Sequence, residues 1–498
     1  MGRAAATDVA VIGAGWAGLA AAIHLVKAGR TVRLIDAAPQ AGGRARRVVL
    51  NWKHPLHGAN PIELDNGQHL LLGAYTEVLK LLELLDALDD QRLERRPMRL
   101  ASSSGLLMER PDFADDRPDF RGIGMAGVLL APLSPLFALL RAQGLSASSR
   151  WAMLRVLTQL RLKGWRVPDN VATVSQWYAY ARQPAELVAR VWQPLVISAL
   201  NTPADSACAV TFLRVIRDSL GAGPTASDFI QPRQNLSDLF VDPAIAWLRQ
   251  HGAHLMLRSD VRRIERGSST RYRILGGTRQ SDDPLAVDCD EVIVATPPYA
   301  TARLLGGLAD GALIAELNRF SYLPISTAYL GWPEHTLPGD AGTAAHGMAG
   351  TPGTLQPRRR LDSSALPALL SLRDSASQQR FAQWFFDRGL HAHWRIGALV
   401  LSDSRAAREL GDSRLTDALV RQVVDELGLP APAQLSLIHE KRATFACTPD
   451  RPRLGPQASW RQLPGIALAG DYTYGDYPAT LEGAVRSGRI AAGVVLAG

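Results

Sequence analysis

Cysteine is scarce in this 498-residue chain: Cys208, Cys289 and Cys447 are the whole set, widely spaced and odd in number. An odd set cannot pair completely, and no CxxC spacing offers zinc or iron–sulfur ligands. A disulfide scaffold and a cysteine metal centre are therefore excluded, and a reducing, cytoplasmic compartment is expected, with the cysteines as small core residues. Low-complexity tracts and short-period repeats are also missing, which argues against a disordered chain or a solenoid. No Ser–His–Asp arrangement or metal-ligand spacing stands out. The formal charge is +8, yet the arginines are spread along the chain rather than grouped with aromatics, so nucleic acid is not expected as a partner. The same charge suits a phosphate-bearing cofactor or an anionic lipid surface.

What is present begins at the amino end. The length predicts two or three domains. "DVAVIGAGWAGLAAAIHLVKAGRTVRLID", residues 8–36, reads as a buried strand, a tight turn, a helix and a second strand. Its glycine cluster fits neither a signal peptide nor a membrane span. Gly13 permits the turn, Gly15 lets the backbone approach a pyrophosphate, and Gly18 lets helix and strand pack closely. Ala14, Trp16 and Ala17 complete the turn at the helix N-terminus, whose free N–H groups attract phosphate. Asp36 follows 18 residues after Gly18, where a carboxylate can accept ribose hydroxyls and disfavours a 2′-phosphate.

"AGGRARRV", residues 41–48, makes the chain resemble the flavin-dependent amine oxidase and phytoene desaturase superfamily. The resemblance implies that Gly42, Gly43 and Arg44 wrap the pyrophosphate of FAD, glycine allowing close approach and the guanidinium neutralising charge. "GIALAGDYTYGDYPATLEGAVRSG", residues 465–488, is similar to the same group's closing motif. Carried over, Gly470 and Asp471 face the ribityl and pyrophosphate region. The N–H groups around Ala479, Thr480 and Leu481 face the flavin pyrimidine carbonyl, at the start of a helix whose Glu482 serves its own first turn. In the middle, Val261 is expected against the adenine, and Ala295 in "VIVATPP", residues 292–298, beside the cofactor.

The expected fold class is α/β: a Rossmann-like FAD-binding domain of the glutathione-reductase type with a discontinuous α+β substrate domain. FAD-binding parts are expected at 1–75, 234–305 and 436–498, and substrate-domain parts at 76–233 and 306–435. Within the superfamily, "LDNGQHLLLGAY", "PLVISALNTP", "RDSLGAGPTASDFIQPR" and "GDYTYGDYPATLEGAVRSG" resemble the hydroxysqualene dehydroxylases of bacterial hopanoid formation. The resemblance implies reduction of hydroxysqualene to squalene. Protonation of the allylic hydroxyl releases water, and reduced flavin delivers hydride to the delocalised cation. It also implies hydroxysqualene synthase and an electron donor as partners. His69, Tyr474, Asp476 and Tyr477 are the candidates for the proton donor, and the tyrosine rings offer π faces to a cation. Asn66, Gly67 and Gln68 are expected near the isoalloxazine, with Asp65 bracing their turn. A carotenoid-type desaturase running the transfer in reverse, a flavin amine oxidase and a non-catalytic lipid-binding flavoprotein are the alternatives.

An apolar substrate needs an entrance near lipid. "GIGMAGVLLAPLSPLFALL", residues 122–140, is uncharged for 19 residues, close to the ~20 of a membrane span, but Pro132 and Pro135 interrupt it. A peripheral docking segment on the cytoplasmic face, or the lining of a tunnel, is expected instead. The next stretch, "SSRWAMLRVLTQLRLKGWRV", carries tryptophans and arginines suited to a lipid interface or to an ordinary surface helix.

Overall fold

The β-branched run after residue 6 forms the strand Thr7–Ile12, and the apolar run after the glycine turn forms the helix Trp16–Lys27. The computed structural model describes residues 7–110, 138–139, 141–278, 284–334, 336 and 369–498. Most of the expected docking segment 122–140 lies outside the described residues.

Thr7–Ile12 is the middle of a seven-stranded sheet. Val32–Ile35 pairs with it in parallel on one side and Pro284–Val294 on the other. His254–Met256 extends the sheet in parallel beyond Val32–Ile35. The long strand Pro284–Val294 serves two further partners. Its first part pairs antiparallel with Tyr272–Thr278, and its last residues pair in parallel with Ile466–Leu468. Residues from the start, middle and end of the chain thus share one sheet, and the expected α/β class with a parallel nucleotide-type sheet holds. Val9, Val11 and Leu34 on one face and Ala10 and Ile35 on the other are all fully buried, as expected of strands covered on both faces.

The helices Trp16–Lys27 and Leu481–Ala497 cross on one side of this sheet. A Cβ on Gly488 would stand 2.2 Å from the Ala17 carbonyl oxygen, so glycine sets the closeness of the crossing. Alanines line both helices there, and small residues let backbones approach.

The second sheet has five antiparallel strands in the order Leu369–Ser371, Trp384–His391, Trp394–Ser402, Tyr322–Pro333 and Gln434–Phe445. Gln434–Phe445 runs across the expected boundary at residue 436 and is a strand of this sheet. Helices from 147 to 220 supply a third body of structure, built on Trp177, Trp192 and Phe212. One continuous core contains these rings together with Ile12, Tyr329, Trp394 and Phe445, so it joins both sheets to the helices. The hairpin Arg47–His54 and Gly58–Asp65 leads from the first sheet into this core and ends at the "DNGQH" turn. All three cysteines are buried and unpaired.

Candidate flavin site

The first glycine turn is fixed by backbone contacts. Gly13 has φ +107°, and a Cβ there would lie 2.4 Å from the Ala295 carbonyl oxygen. A Cβ on Gly18 would lie 1.8 Å from the Gly13 carbonyl oxygen. Gly15 differs: its Cβ would meet only the Gly43 Cα, at 3.9 Å. Gly15 therefore faces an opening, at the N-terminus of a helix that has no side-chain cap. The second glycine turn closes the other side of that opening. Gly42 N–H donates to the Ala14 carbonyl at 2.8 Å, and Gly42 and Gly43 both have positive φ. Two glycine turns bonded back to back around uncapped N–H groups fit a diphosphate group.

Asp36 stands at the end of the second strand. Its carboxylate accepts from Ala14 N at 2.6 Å and Ala38 N at 2.7 Å, and burial raises its pKa against those two bonds. The following strand Ser259–Arg266 is tied on by Ser259 N donating to the Asp36 carbonyl, which leaves Val261 buried two residues on. Ala295 N donates to the Ile12 carbonyl beside Gly13. Trp16 is buried, with its indole N–H on the Ala45 carbonyl and its ring against Phe240.

Arg44 and Asp471 meet across 427 residues, Nη2 to Oδ1 at 2.7 Å, and Arg44 also donates to the Ala443 carbonyl. This pair joins the first and last segments. Gly470 N–H donates to Ser487 Oγ, and Ala479 takes a left-handed conformation (φ +58°) just before the closing helix. Thr480 caps that helix by accepting from Gly483 N at 2.9 Å. Leu481 is its first residue, so the N–H of Leu481 is among those the helix leaves free. Glu482 departs from expectation. Thr480 already caps its own helix, and the buried Glu482 carboxylate turns outward. It accepts from Glu77 N and Val78 N, both at 3.0 Å, at the start of the helix Thr76–Leu84, and pairs with Arg486 at 2.7 Å.

The "DNGQH" turn is held from three sides. Asp65 is buried and its Oδ1 accepts from Leu236 N at 2.7 Å; burial pushes its carboxyl up to about 7, against that bond and the charge of Arg388. The Tyr329 hydroxyl donates to the Asp65 carbonyl at 2.5 Å, and Gln68 Nε2 donates to the Tyr329 oxygen at 2.6 Å. Asn66 N donates to the Arg46 carbonyl, and Asn66 Oδ1 accepts from Arg46 N. A Cβ on Gly67 would make only ordinary contacts, with Thr327 Oγ1 at 3.6 Å and His69 Cε1 at 3.9 Å.

His69 Nδ1 lies 2.8 Å from the Gly67 carbonyl, which can only accept, so Nδ1 carries the proton. Burial lowers the pKa of this histidine and the Arg44 charge adds to the effect, despite the Gly67 bond. The imidazole is then neutral with a bare Nε2, which accepts a proton rather than donating one.

Tyr474 and Tyr477 stack with centroids 5.8 Å apart, and the Arg486 guanidinium lies 5.1 Å from the Tyr477 ring. The Tyr477 hydroxyl donates to Asp218 Oδ2 at 2.7 Å. Burial and that bond push its pKa upward. Asp476 is half-exposed and paired with Arg214. Among the described residues, the carboxylates around the two motifs thus have fixed partners: Asp471 with Arg44, Glu482 with Arg486, Asp218 with Arg217, Asp476 with Arg214.

Tyr329, Asp218 and Arg486 escaped the sequence reading. Tyr329 sits 261 residues from Gln68 on a strand of ordinary composition, and only tertiary packing reveals it. Arg486 did leave a trace, since Glu482 and Arg486 have the i,i+4 spacing of a helical ion pair.

The likeness to known proteins agrees with this geometry. A family described as "Flavin containing amine oxidoreductase" matches residues 16–496. Hydroxysqualene dehydroxylase of Rhodopseudomonas palustris is 28% identical over 496 residues, covering 98% of both chains. That of Sinorhizobium fredii is 25% identical over 502 residues, with the same coverage. A solved putrescine oxidase double mutant is 17% identical and covers 99% of each chain at a TM-score of 0.65. The glycine cradle, the Arg44–Asp471 link and the match through almost the whole chain lead to one assignment: this protein is an oxidoreductase belonging to the flavin containing amine oxidoreductase family.

Proposed function

We propose that the enzyme binds FAD and removes the hydroxyl of hydroxysqualene reductively, giving squalene. Both relatives above carry the name hydroxysqualene dehydroxylase and match along nearly the full length. The observation that carries the reading is the paired state of the carboxylates. Asp471, Glu482, Asp218 and Asp476 each face an arginine, so none of these four is left as a counter-ion for a substrate ammonium. An uncharged substrate suits this arrangement better than an amine.

The residues divide the work. Gly13, Ala14, Gly15, Trp16, Ala17 and Gly18 form the cradle for the diphosphate with Gly42, Gly43 and Arg44. Asp36 and Val261 hold the adenosine end, and Ala295 packs beside Gly13. Gly470, Asp471, Ala479, Thr480 and Leu481 serve the flavin end. Bound FAD, once reduced, supplies the hydride. Asn66, Gly67 and Gln68 form a wall against the ring system, fixed by Tyr329. The aromatic pair Tyr474 and Tyr477, backed by Arg486, packs the reacting carbon and excludes water. His69 Nε2 receives a proton before it gives one, and the Tyr477 hydroxyl is engaged as a donor to Asp218. His69 in its transiently protonated form is our choice for the acid, ahead of Tyr474, Asp476 and Tyr477.

Hydroxysqualene synthase would supply the substrate and a separate electron donor would reduce the flavin, at the cytoplasmic face of a membrane. No described helix is long and apolar enough to cross one. The test is product analysis. Protein supplied with hydroxysqualene and a chemical reductant should accumulate squalene, and the oxidised protein should leave phytoene unchanged. Oxidised phytoene without any squalene would move the assignment to a desaturase.

A further inference from the structure

The helix Ala147–Leu162 is anchored by Ala152, Met153, Val156 and Leu160, which are buried in the main core. Its other face is unusual. Trp151 is 65% exposed and Leu162 is 82% exposed, the largest exposures of large apolar side chains among the described residues after 110. They are 11 positions apart, so they project within about 20° of each other and about 16 Å apart along the helix. Tyr180, 49% exposed, joins the same surface. Lys163 Nζ lies 3.4 Å from its hydroxyl, and Arg155 donates to the Ala181 carbonyl in the turn that follows.

Cations surround these side chains. Between 150 and 166 the sequence holds Arg150, Arg155, Arg161, Lys163 and Arg166 and no acid. Arg182 is exposed in the neighbouring turn. The next acids along the sequence are Asp169, exposed beyond the helix end, and Glu186, which accepts from Ser146 and Ser149 at the opposite end; Asp205, near Tyr178, is bonded to Ser175. Solvated indole and leucyl groups ringed by arginine and lysine match the composition of an interfacial helix, with apolar tips entering the headgroup layer and cations against lipid phosphate.

We infer that this face, with Trp151, Leu162 and Tyr180 at its apolar tips, docks the enzyme on an anionic bilayer. The inference deepens the proposed reaction, because a squalene-like substrate resides in lipid and must enter from it. Charge complementarity selects the bilayer over a second copy of the chain, whose same face would repel it. The residues named for the dock all lie on described, well-packed structure.

The test is flotation of the flavin-loaded protein with vesicles of equimolar phosphatidylcholine and phosphatidylglycerol. The wild-type protein should float, and added salt should release it. The double variant W151E/L162E should bind at least about tenfold more weakly, equivalent to about 1.4 kcal/mol. Leu88→Glu, at an exposed apolar position elsewhere, should float like the wild type. Flavin absorbance and melting temperature confirm that each variant is folded, and W151S/L162S should weaken binding in the same direction. Undiminished flotation of both double variants, or a wild-type protein that stays with the pellet, overturns the dock. Hydroxysqualene in detergent micelles should still be reduced by W151E/L162E. A failure of the wild type there would count against the reaction, not the dock.

Discussion

The two ends of the flavin site are built from different materials. At the proposed nucleotide end the backbone carries the role: Gly15 and Gly43 border the opening, while the N–H groups of Gly13 and Gly42 donate to the Ile35 and Ala14 carbonyls and hold the two turns in place. At the proposed ring end side chains take that role, and each is held by another: Gln68 by Tyr329, Tyr477 by Asp218, Glu482 by Arg486. A backbone site tolerates almost no added atom. A side-chain site tolerates substitution but loses its alignment by degrees.

Gly13→Ala should have the largest effect. Its Cβ would collide with the Ala295 carbonyl at a φ that disfavours alanine, at a cost of about 3 kcal/mol or more. The expected result is protein that is insoluble or purifies without flavin. Gly15→Ala sharpens the point, since its Cβ meets no atom closer than 3.9 Å. That variant should melt like the wild type and bind FAD about tenfold to a hundredfold more weakly by fluorescence titration. Equal melting of both variants would show that the two glycines do not differ as described.

Asp471→Asn comes next, because it leaves Arg44 without its carboxylate partner. A loss of about 2 kcal/mol in denaturant unfolding is expected, with a parallel loss of flavin retention. An unchanged unfolding midpoint would remove this pair from the account of how the chain ends are joined.

Asp65 gives a pH-dependent comparison. Its folded-state pKa of about 7 lies above the ordinary carboxylate value near 4. The folded protein therefore holds a proton that the unfolded chain releases between those values, so stability falls as pH rises through that window. Asp65→Asn keeps an acceptor for Leu236 N–H and removes the titration. It should flatten this part of the stability profile and melt higher than the wild type above about pH 7. A profile of unchanged slope would contradict the burial argument.

Tyr477→Phe should be the mildest. It removes one hydrogen bond to Asp218, worth about 1 kcal/mol, and leaves the stacked ring. Turnover within about tenfold of the wild type is expected on that basis. A far larger fall in kcat at unchanged KM would assign the proton to the phenol and displace His69.

The same contrast explains what could be read from the sequence. Backbone sites require glycine at fixed spacing, and a strand–turn–helix around Gly13 and a Gly-Gly-Arg after the second strand are visible in one dimension. The order of the closing motif, with Gly470, Asp471 and Thr480 before a helix, was visible for the same reason. Tyr329 and Asp218 were not, because an ordinary tyrosine or aspartate becomes part of a site only when the sheet brings it there. Glu482 shows the intermediate case. Its position in a first turn was legible, but which helix its carboxylate serves depended on where Thr76–Leu84 packs. The tautomer of His69 likewise follows from the Gly67 carbonyl, a contact that no spacing encodes.

The central claim is that reduced flavin in this site passes its electrons to an uncharged allylic alcohol. Protein reduced anaerobically by dithionite, freed of excess reductant and mixed with hydroxysqualene tests it most directly. The account predicts that the oxidised flavin absorbance returns and that squalene forms in equal amount, whereas squalene itself leaves the flavin reduced. Flavin that stays reduced in the presence of hydroxysqualene would contradict it.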